Sequence, residues 1–127
     1  MNVDSIRAYC LSFPHATENL QWGDDLCFKI AGKIFTIVGL ENHGLCFKCT
    51  PETFSELIER EGIRPAPYVG RYNWVMLDRL DSVHWDELKD LIRQSYEMAA
   101  AKAPGKFRPK ARKQAKVKKG SPGKTRR

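Results

Sequence analysis

Two cysteines, Cys46 and Cys49, are separated by two residues, which is the spacing of zinc knuckles and redox-active dithiols. The flanking Leu45 and Phe47 give the segment the apolar alternation of a strand, on which residues three apart point to opposite faces. The two thiols could then not reach one ion, and no second Cys/His pair lies nearby to complete four ligands. We therefore expect no metal or redox site here, with Cys49 in the core and Cys46 incidental.

The histidines also lack an arrangement that would support catalysis. His15 follows a proline, His43 lies in a predicted turn, and His84 lies in the first turn of a predicted helix. None has a Ser, Cys or Asp arrangement that would make it a catalytic base. Neither a Gly-rich phosphate loop nor an H-E-x-x-H motif occurs. The sequence therefore predicts a protein that is not an enzyme, with no catalytic residue, no metal and no cofactor.

Charge is divided sharply along the chain. Residues 1–101 contain 10 Lys/Arg and 15 Asp/Glu, a net charge of −5, whereas residues 102–127 contain 12 Lys/Arg and no acid. The high overall pI therefore describes the tail, and it does not indicate a basic folded domain. We predict two parts, a folded domain over residues 1–101 and a disordered basic tail over residues 102–127.

The tail is the strongest functional signal in the sequence. Its cations are interleaved with Ala, Pro and Gly, a composition typical of arms that coat DNA without reading sequence. We predict that they bind the phosphates of nucleic acid, DNA in preference to RNA. The alternatives are an extension that increases solubility, or a segment that binds ribosomal RNA or acidic proteins. The predicted nucleic-acid-binding residues are Lys102, Lys106, Arg108, Lys110, Arg112, Lys113, Lys116, Lys118, Lys119, Lys124, Arg126 and Arg127.

Hydrophobic periodicity predicts an α+β fold for the domain. The expected order is α-β-β-β-α-β-β-α, with an antiparallel sheet and helices on one face in two layers. Asn2 caps the first predicted helix, Thr50 and Pro51 begin the second, and Ser82 caps the third. The buried stripe of the third helix is Trp85, Leu88, Leu91, Ile92 and Ser95.

The first two predicted strands form a hairpin around Ala31-Gly32. A two-residue loop there would place Phe28 opposite Phe35 and Leu26 opposite Ile37, giving one apolar face. Further strands are predicted at residues 45–49, around residues 65–68 and at residues 73–77.

The opposite face of this sheet is the second candidate site. Lys29 and Lys48 are predicted on it, Arg71 and Arg79 flank the last strand, and Trp74 alternates with buried residues. Lysines beside an exposed aromatic could bind phosphates and stack a base. The alternative is a solvated face on which Trp74 is covered by a loop or by a second subunit.

A set of segments in a fixed order resembles a known family. They are Trp22-Gly23-Asp24, Phe28-Lys29, Gly32-Lys33-Ile34-Phe35, Phe47-Lys48-Cys49-Thr50-Pro51-Glu52, Pro65-Ala66-Pro67-Tyr68, Trp74-Val75 and Ser95-Tyr96. Together they resemble the MmcQ/YjbR family of small bacterial proteins over roughly residues 3–103. The resemblance implies a frataxin-like (CyaY-like) α+β fold, also likened to secretion chaperones, and DNA binding through a double-wing sheet.

Two features depart from that family. Many relatives have a histidine-containing segment where this chain has Tyr68-Val69-Gly70-Arg71-Tyr72, and the basic tail lies outside the shared region. By analogy with the acidic surface of frataxin, Asp24, Asp25 and Glu18 would form a metal-binding patch. We favour solvated loop carboxylates instead.

These observations predict a non-enzymatic protein that associates with DNA or RNA without sequence specificity, mainly through its tail. The alternative is a chaperone-like or adaptor module that binds a protein partner on the sheet face. A third is a small-molecule pocket around Trp22, Tyr68 and Trp74. Because Asp4 and Arg7 interrupt the first apolar stretch and no membrane-spanning run follows, we expect no membrane association. We expect a cytoplasmic location with reduced thiols, and the oligomeric state is left open.

Overall fold

The computed structural model describes residues 2–41, 44–67 and 69–104, which form a six-stranded antiparallel sheet packed against helices. The strand order in the sheet is β1-β2-β3-β4-β6-β5. The helices are α1 (Val3–Leu11), α2 (Pro51–Leu57) and α3 (Trp85–Ala101). The strands are β1 (Ala16–Gln21), β2 (Asp25–Ile30), β3 (Lys33–Gly39), β4 (Leu45–Lys48), β5 (Ile63–Pro65) and β6 (Trp74–Leu77).

This architecture confirms the predicted two-layer α+β fold, with one strand more than the predicted order. The additional strand is β1, which pairs with β2 at the edge of the sheet. Its exposed polar residues lack the strict alternation that marks a half-buried strand. Among the described residues, no helix has the length and apolar character needed to cross a membrane.

Capping explains where the helices begin. Asn2 Oδ1 accepts a hydrogen bond from Ser5 N at 2.8 Å, and the Thr50 side chain accepts one from Thr53 N at 3.2 Å. Both caps are as predicted. The third cap is corrected, because α3 begins at Trp85 and Ser82 lies in a preceding 3₁₀ turn.

The core lies between the helices and one face of the sheet, which we call the inner face. The inner face contributes Phe28, Phe35 and Phe47, and α3 contributes Leu88 and Ile92, all fully buried. Burial of these large apolar side chains is the main force that holds the two layers together.

The register of the β2–β3 hairpin differs from the prediction. Phe28 pairs with Thr36 and Leu26 with Val38, because Phe35 is an extra residue in a β-bulge. The two-residue loop at Ala31-Gly32 is present, since Ile30 pairs directly with Lys33. Beyond the bulge the register moves by one residue.

Ser95 of α3 links β3 and β4 at the bulged residue Phe35. Its hydroxyl donates to the carbonyl oxygen of Phe35 at 2.6 Å and accepts from the backbone N–H of Lys48 at 3.0 Å. The Ser95 side chain is therefore a bridge within the sheet, although it belongs to a helix.

Candidate functional site

The face of the sheet opposite the helices, which we call the outer face, carries three of the sequence-predicted candidates. Lys48 on β4 pairs with Trp74 on β6, and Lys29 on β2 pairs with Ile34 on β3. Adjacent strands lie about 4.8 Å apart, so these residues form a row across one end of the outer face. The predicted placement of Lys29, Lys48 and Trp74 is confirmed.

Carboxylates compensate most of the other cations of the domain. Six of the ten Lys/Arg residues in residues 1–101 have a carboxylate within 4.0 Å. Arg79 is one of them, since its guanidinium makes two hydrogen bonds to Asp81 at 2.9 and 2.8 Å. This weakens Arg79 as a phosphate ligand. The six are Arg7, Arg60, Arg64, Arg79, Lys89 and Arg93.

Four cations of the domain have no carboxylate within salt-bridge distance in the described part of the chain. They are Lys29, Lys33, Lys48 and Arg71, and Arg71 stacks over the ring of Tyr72 at 4.9 Å. Burial, and next the charge of the neighbouring Lys102, lower the pKa of Lys48. Lys102, the first cation of the tail, therefore lies beside Lys48.

The other tail residues predicted to bind nucleic acid, from Lys106 to Arg127, lie outside the described residues. The tail predicted to be disordered is residues 102–127, and from residue 105 onward it lies outside the described residues. Helix α3 ends at Ala101, and Ala103 is still buried in the core.

An apolar cavity of about 530 Å³ opens on the outer face beside Trp74. Its floor comes from three adjacent strands, since Ile37 pairs with Cys46 and Cys46 with Met76. Trp22, which is 69% exposed in the β1–β2 turn, also lines it. Two of the three residues of the pocket considered as a third alternative, Trp22 and Trp74, line this cavity, and Tyr68 lies outside the described residues. The other described lining residues are Asp25, Gly39, Gly44, Ala66, Pro67 and Val69.

The segment between β5 and β6 forms one wall of this cavity. Ala66 N donates to Trp74 O at 2.9 Å, which ties the start of the segment to β6. At Gly70 the chain passes so close to β5 that a Cβ atom there would lie 2.8 Å from Pro65 Cβ. Asn73 adopts the left-handed conformation, with φ 70°, before β6 begins. These contacts fix the wall against the sheet.

The outer face is acidic at the end away from the lysines. Asp25 is the one charged residue among the described lining residues of the cavity. Asp24 and Glu41 lie at the same end, where a hydrogen bond to Asp24, and next its charge, raise the pKa of Glu41. The sequence did not indicate that Asp25 would line a cavity, because only the register places it beside Gly39 and the aromatic residues.

The cysteines are separated as the strand pattern predicted. Cys46 lies on the outer face in the cavity, whereas Cys49 is buried in the core. Burial, and next the charge of Asp25, raise the pKa of Cys46 to about 11, and burial raises the pKa of Cys49 to about 12. The described residues contain no group of three or more His, Cys, Asp and Glu side chains that could hold a metal ion. Glu18 of the suggested acidic patch pairs with Arg7.

The fold and this site define a small α+β protein with a helix-covered inner face and an outer face that carries an apolar cavity. The family model YjbR matches residues 11–98, so the chain belongs to the YjbR (MmcQ/YjbR) family. This confirms the family resemblance and the fold it implied.

Two solved structures have a similar fold. The crystal structure of Deinococcus radiodurans protein DR2400, described as a DUF419 domain, is 24% identical with a TM-score of 0.74. The match covers 84% of each chain. A protein from Pseudomonas syringae is 19% identical with a TM-score of 0.64, and the match covers 78% of this chain and 99% of that one. No curated protein matches this chain.

Proposed function

We propose that this YjbR-family protein is a non-enzymatic, cytoplasmic protein that binds nucleic acid without sequence specificity, DNA in preference to RNA. The observation that carries the proposal is the segregation of charge, with twelve cations and no acid in residues 102–127. Cations neutralise phosphates and release condensed counterions, which favours binding to any sequence.

The arrangement of charge in the domain supports the same proposal. The domain has a net charge of −5, and carboxylates compensate six of its cations, so it offers little attraction to phosphate as a whole. On its outer face, Lys48 lies beside Lys102, the first cation of the tail, and Lys29 belongs to the same row. We infer that the tail supplies most of the affinity for nucleic acid and that the lysine row adds phosphate contacts near the residue where the tail begins.

Fluorescence anisotropy with a labelled duplex of random sequence tests this division. We compare the full chain, a chain ending at Pro104, and a full chain carrying Lys29→Gln and Lys48→Gln. The shortened chain keeps Ala103, which is packed in the core, so its thermal unfolding should match that of the full chain. It should lose binding at physiological salt, and the double variant should bind more weakly than the full chain but measurably. Full binding by the shortened chain would refute the role of the tail.

A second candidate function is a chaperone-like or adaptor module that uses the outer face. The observation that favours it is the apolar cavity together with the exposed Trp22 in its lining. Peptides that are selected from a display library for binding to the unaltered protein should then fail to bind the Trp22→Ala variant. They should still bind the Tyr72→Ala variant, in which an exposed aromatic residue outside the described lining is removed. Equal effects of the two variants would count against this candidate.

A further inference from the structure

The cavity on the outer face has the composition of a small-molecule site. Its volume of about 530 Å³ lies within the range of ligand pockets, and most of its described lining is apolar. It combines two tryptophans, a methionine and an isoleucine with one carboxylate, that of Asp25. Pockets of this kind bind an apolar body through burial and fix its orientation through the few polar groups.

The charge of the cavity lining favours a ligand of positive charge. Asp25 is negative, and the Asp24–Glu41 pair adds further acidity at the same end. Lys48 and Arg71 are absent from the described lining. Arg64 reaches the edge of the cavity, 3.6 Å from the sulfur of Met76, but its guanidinium is paired with Asp78 at 3.3 Å. Within the described lining, an anionic ligand would therefore meet the carboxylate of Asp25 and no cation. The faces of Trp22 and Trp74 are favourable surfaces for a cation as well as for an aromatic ring.

We propose that the cavity binds a small organic cation, an apolar and preferably aromatic molecule with a protonated amine. The amine pairs with Asp25, and the apolar body lies on Ile37, Cys46 and Met76 beside the two tryptophans. The site adjoins the row of the outer face at Trp74, but it uses neither the tail nor the lysines on which the proposed nucleic-acid binding depends. The two proposals therefore stand or fall independently.

The three tryptophans of the chain provide an internal control for a binding measurement. Trp22 and Trp74 line the cavity, whereas Trp85 packs against Tyr9 in the helical layer, with ring centroids 5.8 Å apart. We use the full chain labelled with ¹⁵N and titrate 1-naphthylmethylammonium while following the indole N–H resonances. The resonances of Trp22 and Trp74 should shift in a saturable manner, and that of Trp85 should remain in place.

Two matched probes test the sign of the charge. The neutral 1-naphthalenemethanol and the anionic 1-naphthoate have the same ring system, so they should bind at least about tenfold more weakly than the ammonium probe. Equal affinity for the three probes, or tighter binding of naphthoate, would overturn the proposal. The proposal would also be overturned if the indole N–H resonances of Trp22 and Trp74 did not shift.

Three variants locate the binding group. Asp25→Asn should weaken the ammonium probe by about tenfold to a hundredfold and leave the neutral probe unchanged, since it removes a charged partner at nearly constant volume. Asp4→Asn removes the same charge from the exposed first turn of α1 and should have no effect. Cys46→Phe should exclude all three probes by filling the cavity. If Asp25→Asn bound the ammonium probe as tightly as the unaltered chain, the assignment would be wrong.

Discussion

Ser95 allows one prediction to be worked directly from the structure. Its hydroxyl is 1% exposed and bridges the carbonyl of Phe35, at 2.6 Å, and the N–H of Lys48, at 3.0 Å. Ser95→Ala removes this bridge and leaves two backbone groups without their partner at a buried place. Each unsatisfied buried group costs about 1–3 kcal/mol. Because the two strands can move partly together, we expect a total loss of about 2–4 kcal/mol rather than the full sum.

Urea denaturation measures this loss. With an m value of about 1.5 kcal/mol/M, a loss of about 3 kcal/mol lowers the midpoint by about 2 M. Ser55→Ala is the matched control, because Ser55 is exposed on α2 and its removal should change stability by less than about 0.5 kcal/mol. A loss for Ser95→Ala as small as that of the control would refute the bridging role of this hydroxyl.

The remaining predictions concern the core, the cavity wall and the cavity thiol. Phe28→Ala and Phe35→Ala should each lower the free energy of unfolding in urea by about 3–5 kcal/mol, because both rings are fully buried. Gly70→Ala should cost about 1–3 kcal/mol in the same assay, since its Cβ would lie 2.8 Å from Pro65 Cβ. Cys46, with a pKa of about 11, is a neutral thiol at pH 8. Its alkylation by iodoacetamide, followed by peptide mapping, should accelerate about tenfold per pH unit from about pH 8 to about pH 10. A plateau below about pH 9 would contradict that value.

The sequence predicted the layers of the fold better than the details of the sheet. Apolar periodicity identified the hairpin and the long last helix, because these elements bury one continuous face. Strand β1 was not predicted because the charged Glu18 stands between Ala16 and Leu20 on the side where an apolar residue is expected, and none of its residues is fully buried. The bulge at Phe35 could not be predicted either, because no Gly, Pro or other local residue signal marks it and it appears only in the pairing of β2 with β3.

The candidate site was also predictable only in part, since strand alternation shows which face a residue lies on but not which distant residues lie beside it. Alternation along β2, β4 and β6 placed Lys29, Lys48 and Trp74 on the outer face. The compensation of Arg79 by Asp81 and the position of Asp25 in the cavity depend on the paths of turns and on pairing between distant strands. A single sequence carries little information on such long-range geometry.

The salt dependence of DNA affinity tests the central claim most directly. The full chain is titrated into a random duplex by fluorescence anisotropy over a series from about 50 to about 200 mM salt. If the tail neutralises about six phosphates, the logarithm of the association constant should fall with the logarithm of salt concentration with a slope near −5. The slope should be the same for unrelated sequences, because lysines contact phosphates and not base edges. A slope near zero, or a strong preference for one sequence, would contradict nonspecific binding through the tail.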